Sequence, residues 1–246
     1  RSPLVLIASH KILSLQMKKL NFKKKVKILN LKKIISYKLN NNSINLINVD
    51  YNQKKAFEKI SNKSNNYIKK CFDIAIILLK SNYSNRLING PISKKNFLKK
   101  KFLGITEYFA KKFNKNKIAM LIYNNDLSVS PVTTHLPLKK VSKAINKKLI
   151  FEKVQLINDF YKIRMGIKPK IAITGLNPHC ESISKFNEDE KIIKPTIKIL
   201  KKRKFKVSGP FAADTIFLKK NRKKFNVILG MYHDQVLTPI KALCEY

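Results

Sequence analysis

Three short apolar runs, each followed by a histidine, constrain the fold of this chain more than any other feature. The histidines are His135, His179 and His233, and each run ends in a polar or Gly/Pro turn. This pattern is typical of a buried strand that enters a loop. Parallel strands bring their carboxyl ends to one edge of a sheet, where open α/β sheets bind ligands. We therefore expect the three imidazoles to form an open metal site there, with positions left for water or substrate.

The segments around these runs predict further strands and helices. We predict strands within residues 1–10 and at 26–29, 44–49, 87–89 and 118–123, and helices at 11–20, in two segments of 53–80, at 149–165 and from about 187 to 204. His10 follows Ser9 and fits the cap region of the first helix better than a ligand site. The long helix ends at Gly166 and separates two strand runs, which favours right-handed parallel crossovers and an α/β fold.

The net charge of +39 raises the question of nucleic-acid binding. Arginine is the residue suited to forked contacts with phosphates and bases, yet few of the 53 basic residues are arginine. Lysines are spread over the whole chain without interleaved aromatic residues that would stack on bases. We expect no specific nucleic-acid binding, although such a charge attracts polyanions weakly and favours an acidic or phosphorylated small substrate.

Length and cysteine usage narrow the class of protein. A chain of 246 residues with 44% hydrophobic content can bury one large domain or two interleaved lobes. Its apolar runs are far too short to span a membrane, and the N-terminal apolar run lacks the flanks of a signal peptide. The three cysteines, Cys71, Cys180 and Cys244, are odd in number and widely spaced, so we expect reduced thiols and a cytoplasmic protein.

Two Gly-Pro segments place polar residues near predicted helix starts. After Gly90 and Pro91, Ser93 and Lys94 stand where exposed N–H groups and a lysine favour an anion, although a plain turn would look the same. The second Gly-Pro segment places Asp214 at a helix entry. Five of the six glycines fall inside the histidine-bearing runs, the two Gly-Pro segments or the stretch Gly104–Glu107, so special backbone geometry is concentrated where polar residues gather.

Six ordered motifs resemble the 4-hydroxythreonine-4-phosphate dehydrogenase family. The resemblance runs from the first strand to Leu243, and ordered motifs of this length are far more specific than a lone glycine fingerprint. The motifs are Asn89-Gly-Pro-Ile-Ser-Lys94, Gly104-Ile-Thr-Glu107, Val132-Thr-Thr-His-Leu-Pro137, Gly175-Leu-Asn-Pro-His179, Gly209-Pro-Phe-Ala-Ala-Asp-Thr215 and Tyr232-His-Asp-Gln235.

The resemblance implies a fold and a set of site residues. The fold is the three-layer α/β/α architecture of isocitrate and isopropylmalate dehydrogenases, with a mostly parallel sheet and two interleaved lobes, and it explains the missing Rossmann fingerprint. A divalent metal, commonly zinc and otherwise magnesium or cobalt, is bound by His135, His179 and His233, which are drawn from both subunits of a homodimer. Thr106 and Lys241 contact the phosphorylated substrate, and no nucleotide-binding residue can be assigned.

The implied reaction is the oxidation of 4-phosphonooxy-L-threonine by NAD or NADP, with decarboxylation to 3-amino-2-oxopropyl phosphate, in pyridoxine 5'-phosphate biosynthesis. A metal held by imidazoles can lower the pKa of the substrate hydroxyl and stabilise the enolate formed when carbon dioxide leaves. Asp214 and Asp234 are candidates for orienting a histidine or relaying a proton, with helix caps as the alternative. Lys94 and Lys241 would supply positive charge, and by helical spacing we expect Lys241 to share a face with Gln235 or Val236.

Departures from the family leave rival readings open. Ile105 stands where the family has a substrate-contacting histidine, so a dehydrogenase of threonate or erythronate 4-phosphate is an alternative. A phosphate acetyltransferase-like enzyme of the same general architecture is another, and a basic nucleic-acid-binding protein is a third. The family's glycine-rich first stretch and a later segment with a substrate-binding asparagine and arginine are not in this sequence. We therefore treat residues 1–246 as a single catalytic unit truncated at both ends and predict the activity for the intact parent protein.

Overall fold

The computed structural model describes residues 2–98, 101–102, 104–181, 183 and 186–244. Two compact units divide the chain, Arg1–Lys112 and Phe113–Tyr246. Each unit is one continuous stretch of the chain, and the two interleaved lobes stay a prediction. Among the described helices, none combines the length and the apolar character needed to cross a bilayer.

Three parallel strands form the sheet of the N-terminal unit. The strands are β1 (Val5–Ala8), β2 (Val26–Ile28) and β3 (Ile44–Asn48), and the helices are α1 (His10–Lys19), α2 (Asn65–Lys80), α3 (Lys94–Phe97) and α4 (Ile105–Lys112). β3 lies in the centre, where Leu46 is paired with Leu6 on one side and with Ile28 on the other and is fully buried. Ser9 caps α1 by accepting the N–H of Ile12, which confirms the predicted cap region at His10.

Four parallel strands form the sheet of the C-terminal unit, in the order β4-β7-β5-β6. The strands are β4 (Ser128–Thr133), β5 (Ile171–Thr174), β6 (Val207–Phe211) and β7 (Val227–Tyr232), and the helices are α5 (Val141–Ala144), α6 (Lys147–Met165), α7 (Lys194–Lys202), α8 (Ala213–Ile216), α9 (Lys219–Arg222) and α10 (His233–Cys244). Asn146 caps α6, and Gly166 ends it in the left-handed region with φ 68°. The prediction of this long helix between two parallel strands is confirmed.

Both faces of the four-stranded sheet are covered by helices. In β7, Val227, Leu229 and Met231 face a core cluster shared with α6 and α7. Ile228 points the other way, into a cluster shared with α8 and α10. This period of two places apolar residues on both sides of the strand, so the strand reads as one continuous apolar run in the sequence. The C-terminal unit is therefore a three-layer α/β/α structure.

One predicted strand, Ile118–Tyr123, is wrong. Among the described residues of this segment only Ile122 bridges a strand residue, Val129, in antiparallel orientation. Leu121 packs against the α6 side of the core, and Met120 and Ile122 pack against the α10 side. The apolar residues of this loop therefore alternate because they pack against two core clusters, and they do not form a β-ladder.

Two further predicted elements are wrong, and both lie in the N-terminal unit. Leu87–Asn89 is not a strand in the structure, and Ile88 is 83% exposed, so the apolar residues there are not buried by sheet neighbours. The first of the two helical segments proposed for 53–80 is also absent, because the α-helix begins only at Asn65. The second segment is confirmed as α2, with Phe72, Ala75, Ile76 and Leu78 buried.

Candidate functional site

Four neighbouring strand ends carry the polar residues of the candidate site. His135 follows β4, His233 follows β7, His179 follows β5 and Asp214 follows β6. Because all four strands are parallel and lie in the order β4-β7-β5-β6, these residues follow the carboxyl ends at one edge of the sheet. This is the edge at which open α/β sheets bind ligands.

His135 and His233 lie side by side. Their ring centroids are 5.9 Å apart, with an angle of 37° between the ring planes. The Nδ1 atom of His233 is 2.7 Å from Oδ1 of Asp234, the next residue in the first turn of α10. A carboxylate only accepts hydrogen bonds, so Nδ1 carries the proton and Nε2 of the neutral ring keeps its lone pair. Asp234 therefore orients His233 with its second nitrogen available to a ligand.

His179 forms a second pair with Asp214. Its Nδ1 atom is 4.0 Å from Oδ2 of Asp214, and both side chains are largely exposed. The N-cap of α8 is Ala212 and makes no side-chain cap bond, so Asp214 does not cap this helix. The backbone of His179 has φ 55° and that of Cys180 has φ 63°, and both angles lie in the left-handed region. Such strain at non-glycine residues is concentrated at functional sites.

The described donors of the site are therefore arranged as two pairs. Within residues 2–98, 101–102, 104–181, 183 and 186–244, no three His, Cys, Asp or Glu side chains come together as a set of metal ligands. One pair supplies two imidazoles and the other an imidazole and a carboxylate. The metal site shared by all three histidines stays a prediction.

Asp189 holds the loop that carries His179. It is fully buried in a π-helical turn that precedes α7. Its Oδ1 atom accepts the N–H of Leu176 at 2.9 Å, and its Oδ2 atom accepts the N–H and side-chain amide of Asn177 at 3.1 and 2.9 Å. Burial and the nearby Asp189 carboxylate raise the pKa of the Cys180 thiol, which favours the neutral thiol inside this loop.

Gln235 links the ends of the two central strands. Its Oε1 atom accepts the backbone N–H of Met231 at 2.6 Å and the hydroxyl of Thr174 at 2.9 Å, and its Nε2 donates to the carbonyl of Gly175 at 2.8 Å. Sequence reasoning missed the role of both anchors. Asp189 falls simply within the helix predicted from about 187 to 204, and Gln235 is only the last residue of a motif.

Three predicted substrate residues, Lys94, Thr106 and Ile105, belong to the N-terminal unit. Lys94 begins α3 behind the cap residue Ser93 and is exposed, beside a cavity of about 200 Å³ lined in part by Ser93. Thr106 is exposed on α4, and Ile105 packs against the apolar cluster around Tyr108.

Lys241 does not share a face with Gln235 or Val236, contrary to our expectation. Lys241 is exposed on α10, whereas Gln235 and Val236 are buried. Separations of five and six residues turn a helix by about 140° and 240°, which places the lysine away from the buried face. The ammonium group is therefore free of the core and accessible to an anion.

Comparison with known proteins decides the family. The family described as pyridoxal phosphate biosynthetic protein PdxA matches residues 1–245. The chain belongs to the PdxA family. The resemblance found in the sequence motifs is thereby confirmed.

Two curated relatives share the name 4-hydroxythreonine-4-phosphate dehydrogenase. The chain is 42% identical to the 4-hydroxythreonine-4-phosphate dehydrogenase of a Sulfurihydrogenibium species over 166 residues, which are 65% of this chain and 51% of the relative. It is 33% identical to the enzyme of that name from Vibrio parahaemolyticus over 188 residues, 74% of this chain and 57% of the relative. The chain thus spans about half the length of the curated relatives that it matches.

A solved structure supports the fold of this PdxA family member. The crystal structure of 4-hydroxythreonine-4-phosphate dehydrogenase from Klebsiella pneumoniae matches with a TM-score of 0.78 and 23% identity, covering 98% of this chain and 76% of that one. An identity this low speaks for the fold alone. It confirms the predicted α/β class with mostly parallel strands.

Proposed function

We propose that the protein oxidises 4-phosphonooxy-L-threonine with NAD or NADP, and that the product loses carbon dioxide to give 3-amino-2-oxopropyl phosphate. The observation that carries this proposal is the row His135, His233, His179 and Asp214 on four neighbouring strand ends. It occurs in a chain of the PdxA family whose curated relatives are named for this dehydrogenase activity.

The residues at the strand edge fit a divalent metal in donor type. Imidazoles suit zinc and cobalt, and the adjacent rings of His135 and His233 offer two such donors. The carboxylate partner of His233 is the usual means of fixing a ligand histidine. When bound, the metal would stabilise negative charge on the substrate oxygen as a Lewis acid.

The chain's own residues would prepare the substrate and the ring nitrogens. Asp234 accepts the Nδ1–H of His233, which leaves Nε2 of that ring for a metal, and Asp214 lies 4.0 Å from Nδ1 of His179. Lys241 would contact the substrate phosphate, with Thr106 and Lys94 as further contacts. In the reaction, the hydroxyl carbon gives hydride to the nicotinamide and the oxygen loses its proton. The resulting β-keto acid loses carbon dioxide.

The test of this function is NADH formation by the purified protein with 4-phosphonooxy-L-threonine, NAD and added Zn²⁺ or Co²⁺. We expect turnover that disappears in His135→Ala, His179→Ala and His233→Ala. His10→Ala is the matched control, because His10 starts α1 in the N-terminal unit. Faster turnover of erythronate or threonate 4-phosphate would show that one of these compounds is the substrate instead. Wild-type rates in all three histidine variants would refute the proposed site.

We also propose that the active form is a homodimer in which histidines from two copies complete each site. Mixing the inactive variants His179→Ala and His233→Ala tests this arrangement. If the two ligands come from different copies, random pairing regenerates one intact site in half of the dimers, and activity returns to about a quarter of wild type. Mixed samples that stay inactive, although they exchange subunits, would show that both ligands come from one copy.

A further inference from the structure

We propose that Gln235 is a positioning residue that fixes His179 relative to His233 by tying together the two strand ends that carry them. The inference rests on the proposed function for its consequence, which is the affinity for a divalent metal. Its geometric part stands on the hydrogen bonds of Gln235 alone. Because the tie lies within one copy, it positions both rings whether they serve the same metal site or the two sites of a homodimer.

The Gln235 carboxamide makes hydrogen bonds at the ends of both β5 and β7. On the β5 side it binds the Thr174 hydroxyl and the Gly175 carbonyl, and on the β7 side it binds the Met231 N–H. Gly175 begins the loop that leads to His179, and Met231 lies two residues before His233. The side chain is only 9% exposed, so water cannot readily replace these partners. One amide thus sets the spacing of both histidine-bearing strand ends.

The adjacent glycines leave room for this arrangement. A Cβ atom on Gly230 would lie 3.0 Å from Oε1 of Gln235 and 2.4 Å from Cγ1 of Val236. A Cβ atom on Gly175 would lie 2.6 Å from Oδ1 of Asp189 and 2.7 Å from Sγ of Cys180. Both contacts are too close for any other residue unless the neighbours move. The strand ends are therefore shaped around the carboxamide of Gln235 and the carboxylate of Asp189.

An amide is required because the site contains both donors and an acceptor. Oε1 faces two donors and Nε2 faces a carbonyl oxygen. Gln235→Glu keeps the length and the acceptor but places an oxygen against the Gly175 carbonyl, which pushes the two strand ends apart. Gln235 binds two backbone groups and a hydroxyl, so its effect on the histidine rings passes through the strand ends.

The test follows the histidine rings directly in wild type and Gln235→Glu. The chain has four histidines, so a two-dimensional ¹H–¹⁵N spectrum of the ring nitrogens resolves each one after assignment by substitution. We expect the signals of His179 and His233 to shift or broaden while that of His10 stays in place. Co²⁺ titration should show an affinity about 10- to 100-fold lower than wild type, as is usual for residues that orient ligands.

Two further variants make the outcome decisive. Gln155→Glu makes the same chemical change on the exposed face of α6 and should alter neither the ring signals nor Co²⁺ binding. If Gln235→Glu does not fold, Thr174→Val removes a single bond at nearly constant shape and should shift the same ring signals. Unchanged signals of His179 and His233 in the folded variant overturn the proposal. Shifted signals in a protein that binds no Co²⁺ support the positioning role and count against the proposed function instead.

Discussion

Replacing Asp189 by asparagine tests whether a buried carboxylate stabilises the loop of His179. The two carboxylate oxygens accept three N–H groups from Leu176 and Asn177, and the residue is 0% exposed. Asparagine has nearly the same shape but offers one acceptor oxygen and one NH₂ group. At least one N–H of the loop then faces another donor, with no water to replace the lost acceptor.

The expected loss follows from these contacts. A hydrogen bond to a charged group contributes about 1.5–3 kcal/mol, and an orphaned buried donor costs a further 1–3 kcal/mol. The neutral amide is cheaper to bury than the carboxylate, which offsets part of this sum. We therefore expect Asp189→Asn to lower the free energy of unfolding by about 2–4 kcal/mol.

Urea unfolding measures this loss. The chain contains no tryptophan, so far-UV circular dichroism is the natural signal. Asp126→Asn is the matched control, because Asp126 is exposed in a turn and should change stability by less than about 0.5 kcal/mol. If Asp189→Asn were no less stable than this control, the three bonds would not hold the loop, and our account of the strained histidine would fail.

Two other substitutions test the backbone strain at His179 and the burial of the Tyr67 hydroxyl. His179→Gly should raise the free energy of unfolding in urea titrations by about 0.5–1 kcal/mol, because removing the strain of a left-handed non-glycine residue outweighs the conformational entropy that glycine loses on folding. The same substitution should weaken Co²⁺ binding. A lower free energy of unfolding would contradict this prediction. Burial raises the pKa of Tyr67 from 10.0 to about 12, so the unfolded chain loses this proton first and stability should fall between these pH values. Tyr67→Phe should reduce this loss of stability at alkaline pH, whereas the control Tyr123→Phe should not. If the free energy of unfolding of Tyr67→Phe depended on pH as in wild type, this explanation would be wrong.

The sequence was sufficient to predict the elements whose pattern is local. β5 and β7 are continuous apolar runs because both faces of their sheet are covered, and α6 has a cap at Asn146 and a stop at Gly166. Their parallel order followed from the strand, helix, strand succession. The placement of three histidines after neighbouring strand ends could therefore be predicted before any coordinates.

Long-range contacts could not be predicted in this way. The apolar residues of Ile118–Tyr123 imitate a strand because they cover the core, and only the tertiary structure shows that they pair at a single bridge. Asp189 lies 12 and 13 residues from its loop partners, and Gln235 lies 60 and 61 residues from Gly175 and Thr174. No periodicity links such positions, so their roles depend on the folded strand ends.

The contacts of Asp189 and Gln235 also explain how His179 can occupy a left-handed position while its side chain stays exposed. The φ of 55° at His179 is unfavourable for a residue with a side chain, so the loop needs stabilisation from elsewhere. Asp189 binds backbone and an amide of the loop, and Gln235 binds the backbone where the loop begins. These bonds go to the main chain and to the Asn177 side chain, not to the imidazole. Stabilisation through the main chain fixes the backbone position of His179 and leaves its ring exposed, so the site that we propose at this strand edge depends on an aspartate and a glutamine as well as on three histidines.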